Sequence, residues 1–296
     1  MEITANLVKD LREKTGAGMM DCKKALVETN GDIDKAIDYL REKGIAKAAK
    51  KAERIAAEGL CNVVTEGDYA TLYELNSETD FVAKNEKFLD LLYLIGAAII
   101  TKKVDNVDAA LAIDVKGKTI EQYITEGTAT IGEKLSLRRV ILVKKAPAQI
   151  FGSYKHNGGK IAVLTILEGG KFEDAKDIAM HVAALKPQFL NSSEVSPELL
   201  KSETDITKKA TEEEFKELGK PLNNIDKVVE GRVSKWLKEI CLEDQVFVKG
   251  DGKETVRNYL NNKHAKVVKF LKLEVGEGIE KRVNDFAAEV AAASKL

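Results

Sequence analysis

Proline, cysteine, histidine and tryptophan are all scarce: four prolines, three cysteines, three histidines and one tryptophan in 296 residues. With so few prolines, long stretches are free to form helix, and windows rich in alanine, lysine and glutamate favour it. Cys22, Cys61 and Cys241 are odd in number and far apart. They imply neither a disulfide framework nor a Cys-x-x-Cys metal site, so a reducing, cytoplasmic setting is expected. His156, His181 and His264 lack the spacing of metal ligands, so no metal site is expected. Charge of one sign is missing too: 47 basic and 48 acidic residues leave a net −1, and no global field draws the chain to nucleic acid or a membrane. The longest apolar run, Leu89–Ile100, is broken by Asp90 and Gly96 and reads as a buried helix, not a membrane span. The opening Met-Glu-Ile-Thr has no basic region followed by an apolar stretch, so no secretory signal is read.

Signatures of catalysis are equally thin. Gly117-Lys118-Thr119 has the tail of a phosphate-binding loop, but Ala112 stands where its first glycine belongs. Gly276-x-Gly278 is too short for a dinucleotide fingerprint, no serine lies in an elbow motif, and no cysteine has an evident base. His181, between Met180 and Val182, reads as a packing residue, whereas His156 falls on a hairpin tip between Lys155 and Asn157-Gly158. The chain is not expected to be an enzyme or to hold a cofactor.

What is present is organised pattern. Residues 1–54 read as a three-helix docking module, with apolar positions Leu7, Val8 and Leu11, then Met19, Cys22, Ala25 and Leu26, then Ile33, Ala36, Ile37 and Leu40. Its second helix begins Met19-Met20-Asp21-Cys22-Lys23. Adjacent methionines at a helix start do not both face one core, and an exposed methionine suits an adaptable binding surface. Lys47, Lys50, Lys51 and Arg54 follow, either a solvated face or a phosphate contact.

The core reads as hairpin then helix, twice. Residues 55–148 hold strands over Leu60–Thr65 and Tyr69–Asn76, a long helix from about Asp80 to Lys103, a weaker helix near Thr119–Gly127 and a strand at Leu137–Lys145. Residues 149–274 hold strands at Ile150–Lys155 and Lys160–Leu167 around a His156-Asn157-Gly158-Gly159 turn, a helix over Asp174–Leu185 and a strand at Lys266–Glu274. Into these is inserted an antiparallel helical hairpin, about 192–242, broken at Gly219-Lys220-Pro221 and coiled-coil-like. A C-terminal module, 275–296, carries a short helix at Asn284–Ala293. The expected class is α+β, a duplicated core of two small antiparallel sheets with helices on one face.

The first strand pair and the long helix meet at Asn76–Val82, Asn-Ser-Glu-Thr-Asp-Phe-Val. Ser77 or Thr79 is placed to cap the helix, with Asp80 in its first turn. Helical periodicity puts Phe81 on one face with Phe88, Leu92 and Ile95, which makes it core. The competing reading has Phe81 and Asp80 projecting as an apolar wedge beside a charge. Pattern leaves both open.

Five segments together resemble the bacterial elongation factor Ts family, nucleotide exchange factors of elongation factor Tu. They are Arg12–Leu26, Thr79–Asn85, Gly152-Ser153-Tyr154-x-His156, Ile178–His181 and Phe270–Glu289. The matches span nearly the whole chain, and the departures fall at 104–130 and in the helical hairpin. The resemblance implies a UBA-like N-terminal module that docks on elongation factor Tu through Met19, Met20, Asp21 and Lys23. It implies that Thr79, Asp80, Phe81 and Val82 intrude near the partner's magnesium, and that Tyr154 and His156 hold another domain of it. It also implies release of GDP so that GTP can reload, a C-terminal helix that adds grip, and a hairpin used for homodimer contact. The rival is an RNA- or ribosome-binding factor using Lys47–Arg54.

Overall fold

The computed structural model describes residues 3–219 and 221–280. In chain order the helices are α1 (Ala5–Thr15), α2 (Met19–Glu28), α3 (Ile33–Ala49), α4 (Glu86–Lys102), α5 (Val107–Leu111), α6 (Ile120–Ile131), α7 (Phe172–Leu185), α8 (Pro197–Glu217), α9 (Ile225–Ile240) and α10 (Val256–Asn262). The strands are β1 (Glu58–Glu66), β2 (Tyr69–Ser77), β3 (Asp114–Val115), β4 (Lys118–Thr119), β5 (Ser136–Lys144), β6 (Gln149–His156), β7 (Ile161–Gly169) and β8 (Ala265–Glu274). They form three sheets ordered β1-β2-β5, β3-β4 and β6-β7-β8, in the α+β class. Among the described residues no helix is long and apolar enough to cross a membrane.

The chain divides into two compact units. One is built from residues up to Val64, from Thr71–Leu142 and from Leu273 onward; the other from Thr65–Ala70 and Val143–Lys272.

In the first unit, α1–α3 close a small core of Val8, Leu11, Cys22, Ala25, Leu26 and Ala36. The starts of α1 and α3 are capped by side chains, and that of α2 is not. Thr4 accepts from the Leu7 amide, Asp32 accepts from the Lys35 amide, and Gly16 ends α1 in the left-handed conformation. α3 runs unbroken into the basic stretch as far as Ala49. Beyond it, Tyr73 and Leu75 of β2, Phe88 and Ile95 of α4 and Ile120 of α6 form the main core under β1-β2-β5. Burying each such side chain is worth about 1.5–3 kcal/mol. The Tyr73 hydroxyl stays satisfied, accepting from Asn62 at 2.6 Å and donating to the Leu92 carbonyl at 2.8 Å.

One expected boundary is wrong. α4 starts at Glu86, not at Asp80, and its cap is Asn85, whose side chain accepts from the Lys87 amide at 2.9 Å. Neither Ser77 nor Thr79 caps it. Residues 82–84 form a separate 3-10 turn, and Asn85 is extended between the two. Phe81 and Phe88 are seven residues apart, a helical spacing, but no single helix joins them.

The second unit packs α7 and α10 against β6-β7-β8, around Val163, Leu167, Ile178, Val182, Leu260 and Val267. β6 and β7 pair antiparallel, with Tyr154 opposite Val163 and His156 opposite Ile161. A Cβ on Gly152 would lie 2.2 Å from the Ala175 carbonyl group, so only glycine lets β6 approach α7 this closely. α8 and α9 form the antiparallel hairpin. Lys208–Asp226 at 2.9 Å and Arg232–Glu214 at 2.7 Å cross between them. The helix expected at 284–293 lies outside the described residues, as does the module 275–296 beyond Glu280.

Candidate functional site

The corner after β2 is pinned on one side and bare on the other. The Ser77 hydroxyl donates to the Thr79 carbonyl at 2.8 Å. Thr79 donates both its amide and its hydroxyl to the Glu133 carboxylate, at 2.9 and 2.7 Å. Glu78 accepts from the Lys134 amide at 2.7 Å and pairs with Arg54 at 3.4 Å. Val82 and Ala83 turn inward to the main core. With both ends held, Phe81 has nowhere to go but outward, and it is 80% exposed. Of the two readings that pattern left open, the geometry selects the projecting one.

Asp80 pairs with Lys84 at 3.2 Å, and the same ammonium lies 5.9 Å from the centre of the Phe81 ring. The exposed tip is thus a large apolar ring flanked by one carboxylate and one ammonium. In water the Asp80–Lys84 pair is worth little, so the carboxylate is readily surrendered to another partner.

On α2 the helical step sorts the side chains. Cys22, Ala25 and Leu26 face the small core and Met20 and Lys23 point away from it, while Met19, expected on the Cys22–Leu26 face, is exposed because it is the first residue of the helix. Both methionines are exposed, Met20 to 74%. Asp21 sits in the first turn and pairs with Lys47 at 2.8 Å. The structure therefore places these four at one exposed helix start.

Tyr154 and His156 lie in the second unit, near the end of β6. Two residues apart on a strand, they point to the same face. Their rings are 6.1 Å apart, and the Tyr154 hydroxyl is 3.5 Å from His156 Nδ1, at the outer limit of a hydrogen bond. Tyr154 packs against the core while His156 is exposed. Asn157, Gly158 and Gly159 all have positive φ, which turns the chain tightly after His156.

His181 is a packing residue, as expected. It is fully buried, and its Nδ1 accepts from the Val248 amide at 3.2 Å, so the ring proton is on Nε2, which donates to Gln245 at 2.9 Å. Burial lowers its pKa, with the Gln245 bond opposing. The Cys61 thiol, deeply buried, is pushed up to about 12 and is unreactive at neutral pH. Among the described residues no group of three or more His, Cys, Asp or Glu side chains is placed to hold a metal.

Two features had no signal in the sequence beyond their residue types. One is Glu133, 54 residues after the threonine it holds. The other is Glu74, a fully buried carboxylate that meets Arg138, Arg139, the Asn76 side chain and the Gly276 amide. Arg138 and Arg139 donate in turn to the backbone of Glu277 and Glu274. A Cβ on Gly276 would lie 2.3 Å from the Ala57 carbonyl oxygen, so this segment of the Phe270–Glu289 motif also demands glycine. Residues 281–289 of that motif lie outside the described residues.

The family model described as "Elongation factor TS" matches residues 78–277. The elongation factor Ts of Acholeplasma laidlawii (strain PG-8A) is 55% identical over 293 residues, 99% of each chain.

Proposed function

The chain belongs to the elongation factor Ts family, translation elongation factors, and from that premise we propose that it binds elongation factor Tu carrying GDP and speeds the release of the nucleotide. The observation that carries the reading is the exposed Phe81, 80% open to solvent beside Asp80 on a corner otherwise tied down. A ring of that size, presented on a fixed corner, suits a pocket of another molecule. On this reading Phe81 wedges between side chains of the partner while Asp80, leaving Lys84, disturbs the surroundings of the magnesium ion that neutralises the phosphates. Met19, Met20, Asp21 and Lys23 dock residues 1–54 on the partner, Tyr154 and His156 hold a second surface of it, and the α8–α9 hairpin serves homodimer contact.

The thermodynamics need no covalent chemistry, so the protein is an exchange factor and not an enzyme. A nanomolar nucleotide complex is worth about 12 kcal/mol. A factor that binds the empty partner more tightly than the loaded one lowers nucleotide affinity by the same ratio, because coupling is reciprocal. Packing one phenylalanine supplies about 1.5–3 kcal/mol, so the wedge shares the work with the disturbed metal and the docking contacts.

The RNA-binding alternative has less to work with. Near-zero net charge gives the basic stretch no general pull toward phosphate, and Lys51 and Arg54 already donate to the Gly132 carbonyl and to Glu78.

Release of fluorescent GDP from elongation factor Tu tests the proposal. Phe81→Ala is expected to slow the factor-stimulated rate by about tenfold or more, the equivalent of one buried aromatic contact, with its thermal midpoint unmoved. Unchanged release would sink the wedge.

A further inference from the structure

Gly132, Glu133 and Lys134, between α6 and β5, tie two regions of the first unit together. The Gly132 carbonyl, at the left-handed end of α6, accepts from Lys51 just past α3. Glu133 takes both donors of Thr79, and the Lys134 amide is held by Glu78 while its ammonium donates to the Arg54 carbonyl at 2.9 Å. The strap is itself anchored from inside, since the next amide, Leu135, donates to the buried Thr128 hydroxyl at 3.1 Å. Three consecutive residues thus reach the end of the helical module on one side and the base of the Phe81 corner on the other.

We propose that Glu133 is a positioning residue for nucleotide release: by holding Thr79 at two points it aims Phe81 and Asp80, and its strap keeps that corner in register with the docking helices. This rests on the exchange-factor reading above. A carboxylate suits the task because it accepts two hydrogen bonds at once in a fixed plane. Thr79 immediately precedes Asp80, so a loosened Thr79 frees the backbone that sets where the wedge points. A wedge misaimed by about 1 Å forfeits a large part of its effect even though it still reaches the partner.

The test uses the full-length chain and elongation factor Tu loaded with fluorescent GDP, titrated with Glu133→Ala, Glu133→Gln, Phe81→Ala and the Glu133→Ala/Phe81→Ala pair. Glu133→Ala is expected to lower the maximal release rate by about tenfold while the half-saturating concentration stays within about twofold, because docking residues are untouched. Glu133→Gln, which still accepts the amide and reaches the hydroxyl, recovers most of the rate. The double variant is slower than Phe81→Ala alone, but by less than the full Glu133→Ala loss, since Glu133 acts partly through the same ring and partly through Asp80. Amide hydrogen exchange adds a direct readout: the Thr79 amide loses protection in Glu133→Ala while β2 keeps its own. If Glu133→Ala does not fold, Glu133→Asp, too short to span both donors, replaces it. The proposal is overturned if Phe81→Ala is slow and the Glu133 variants are not, if Gln fails to rescue, or if the two losses add. If Phe81→Ala is itself without effect, the exchange reading falls first, and a loss of Thr79 protection then leaves Glu133 with a structural role only, which also overturns the proposal.

Discussion

Phe81 faces out because its neighbours face in. Val82 and Ala83 are claimed by the core and Thr79 by Glu133, so the ring is carried on a short arc with both ends fixed. An exposed ring contributes little to folding, and Phe81→Ala is therefore expected to change unfolding free energy by no more than about 0.5 kcal/mol in urea titration. His181 makes the opposite case, a polar ring that is all interior. Its folded pKa is depressed, so the unfolded chain binds the proton more readily and stability rises with pH in that range. The contribution is complete above about 6.5, the ordinary histidine value, and is lost as pH falls toward the depressed native value. Urea midpoints at pH 5.5 and 7.5 should differ less in His181→Gln than in the parent chain. The role of His181 was legible from its apolar neighbours in sequence. Glu133 was not, because a residue that acts through a hydrogen bond to a distant segment leaves no periodicity behind it.

Among the elements, those with a strong apolar period were readable. The hairpin strands around residues 60–76 and 150–167, α7 and the α8–α9 pair all form close to where pattern put them. The start of α4 was not, and the reason is physical. Phe81 and Phe88 imitate one helical face, while the signal that decides the matter, an asparagine directly before Glu86, is a capping residue of a single side chain. The small β3-β4 pair and α10 also went unread, each too short for a period to show. Spacing likewise says nothing of how near two elements come. β6 and α7 touch backbone to backbone at Gly152, where an added methyl would strike the Ala175 carbonyl group. Gly152→Ala is expected to cost about 3 kcal/mol or more, the upper end for overpacking against atoms that cannot yield, and to lower the urea midpoint accordingly.

For the molecule as a whole, the order of hairpin then helix, repeated, pointed to an α+β chain of small antiparallel sheets with helices, and the chain is of that class. The division into units was less accessible, because the first unit gathers three separate stretches of chain. Glu74 links the last of these stretches to the middle one. It is fully buried, and the two guanidiniums on it are about a quarter exposed. Removing the carboxylate strands two partly buried cations and the Gly276 amide together, so Glu74→Ala is expected to cost about 3 kcal/mol, toward the low end for breaking a buried pair because water reaches both arginines. A fall in thermal midpoint, with faster amide exchange over residues 274–277, would register it.

Glu74 and Gly276 stand 202 positions apart. Glu74 is therefore made early in synthesis and its last donor, the Gly276 amide, late. Its two arginines, Arg138 and Arg139, emerge much sooner. The contact that closes the first unit is thus of very long range in sequence, the kind that is expected to form slowly.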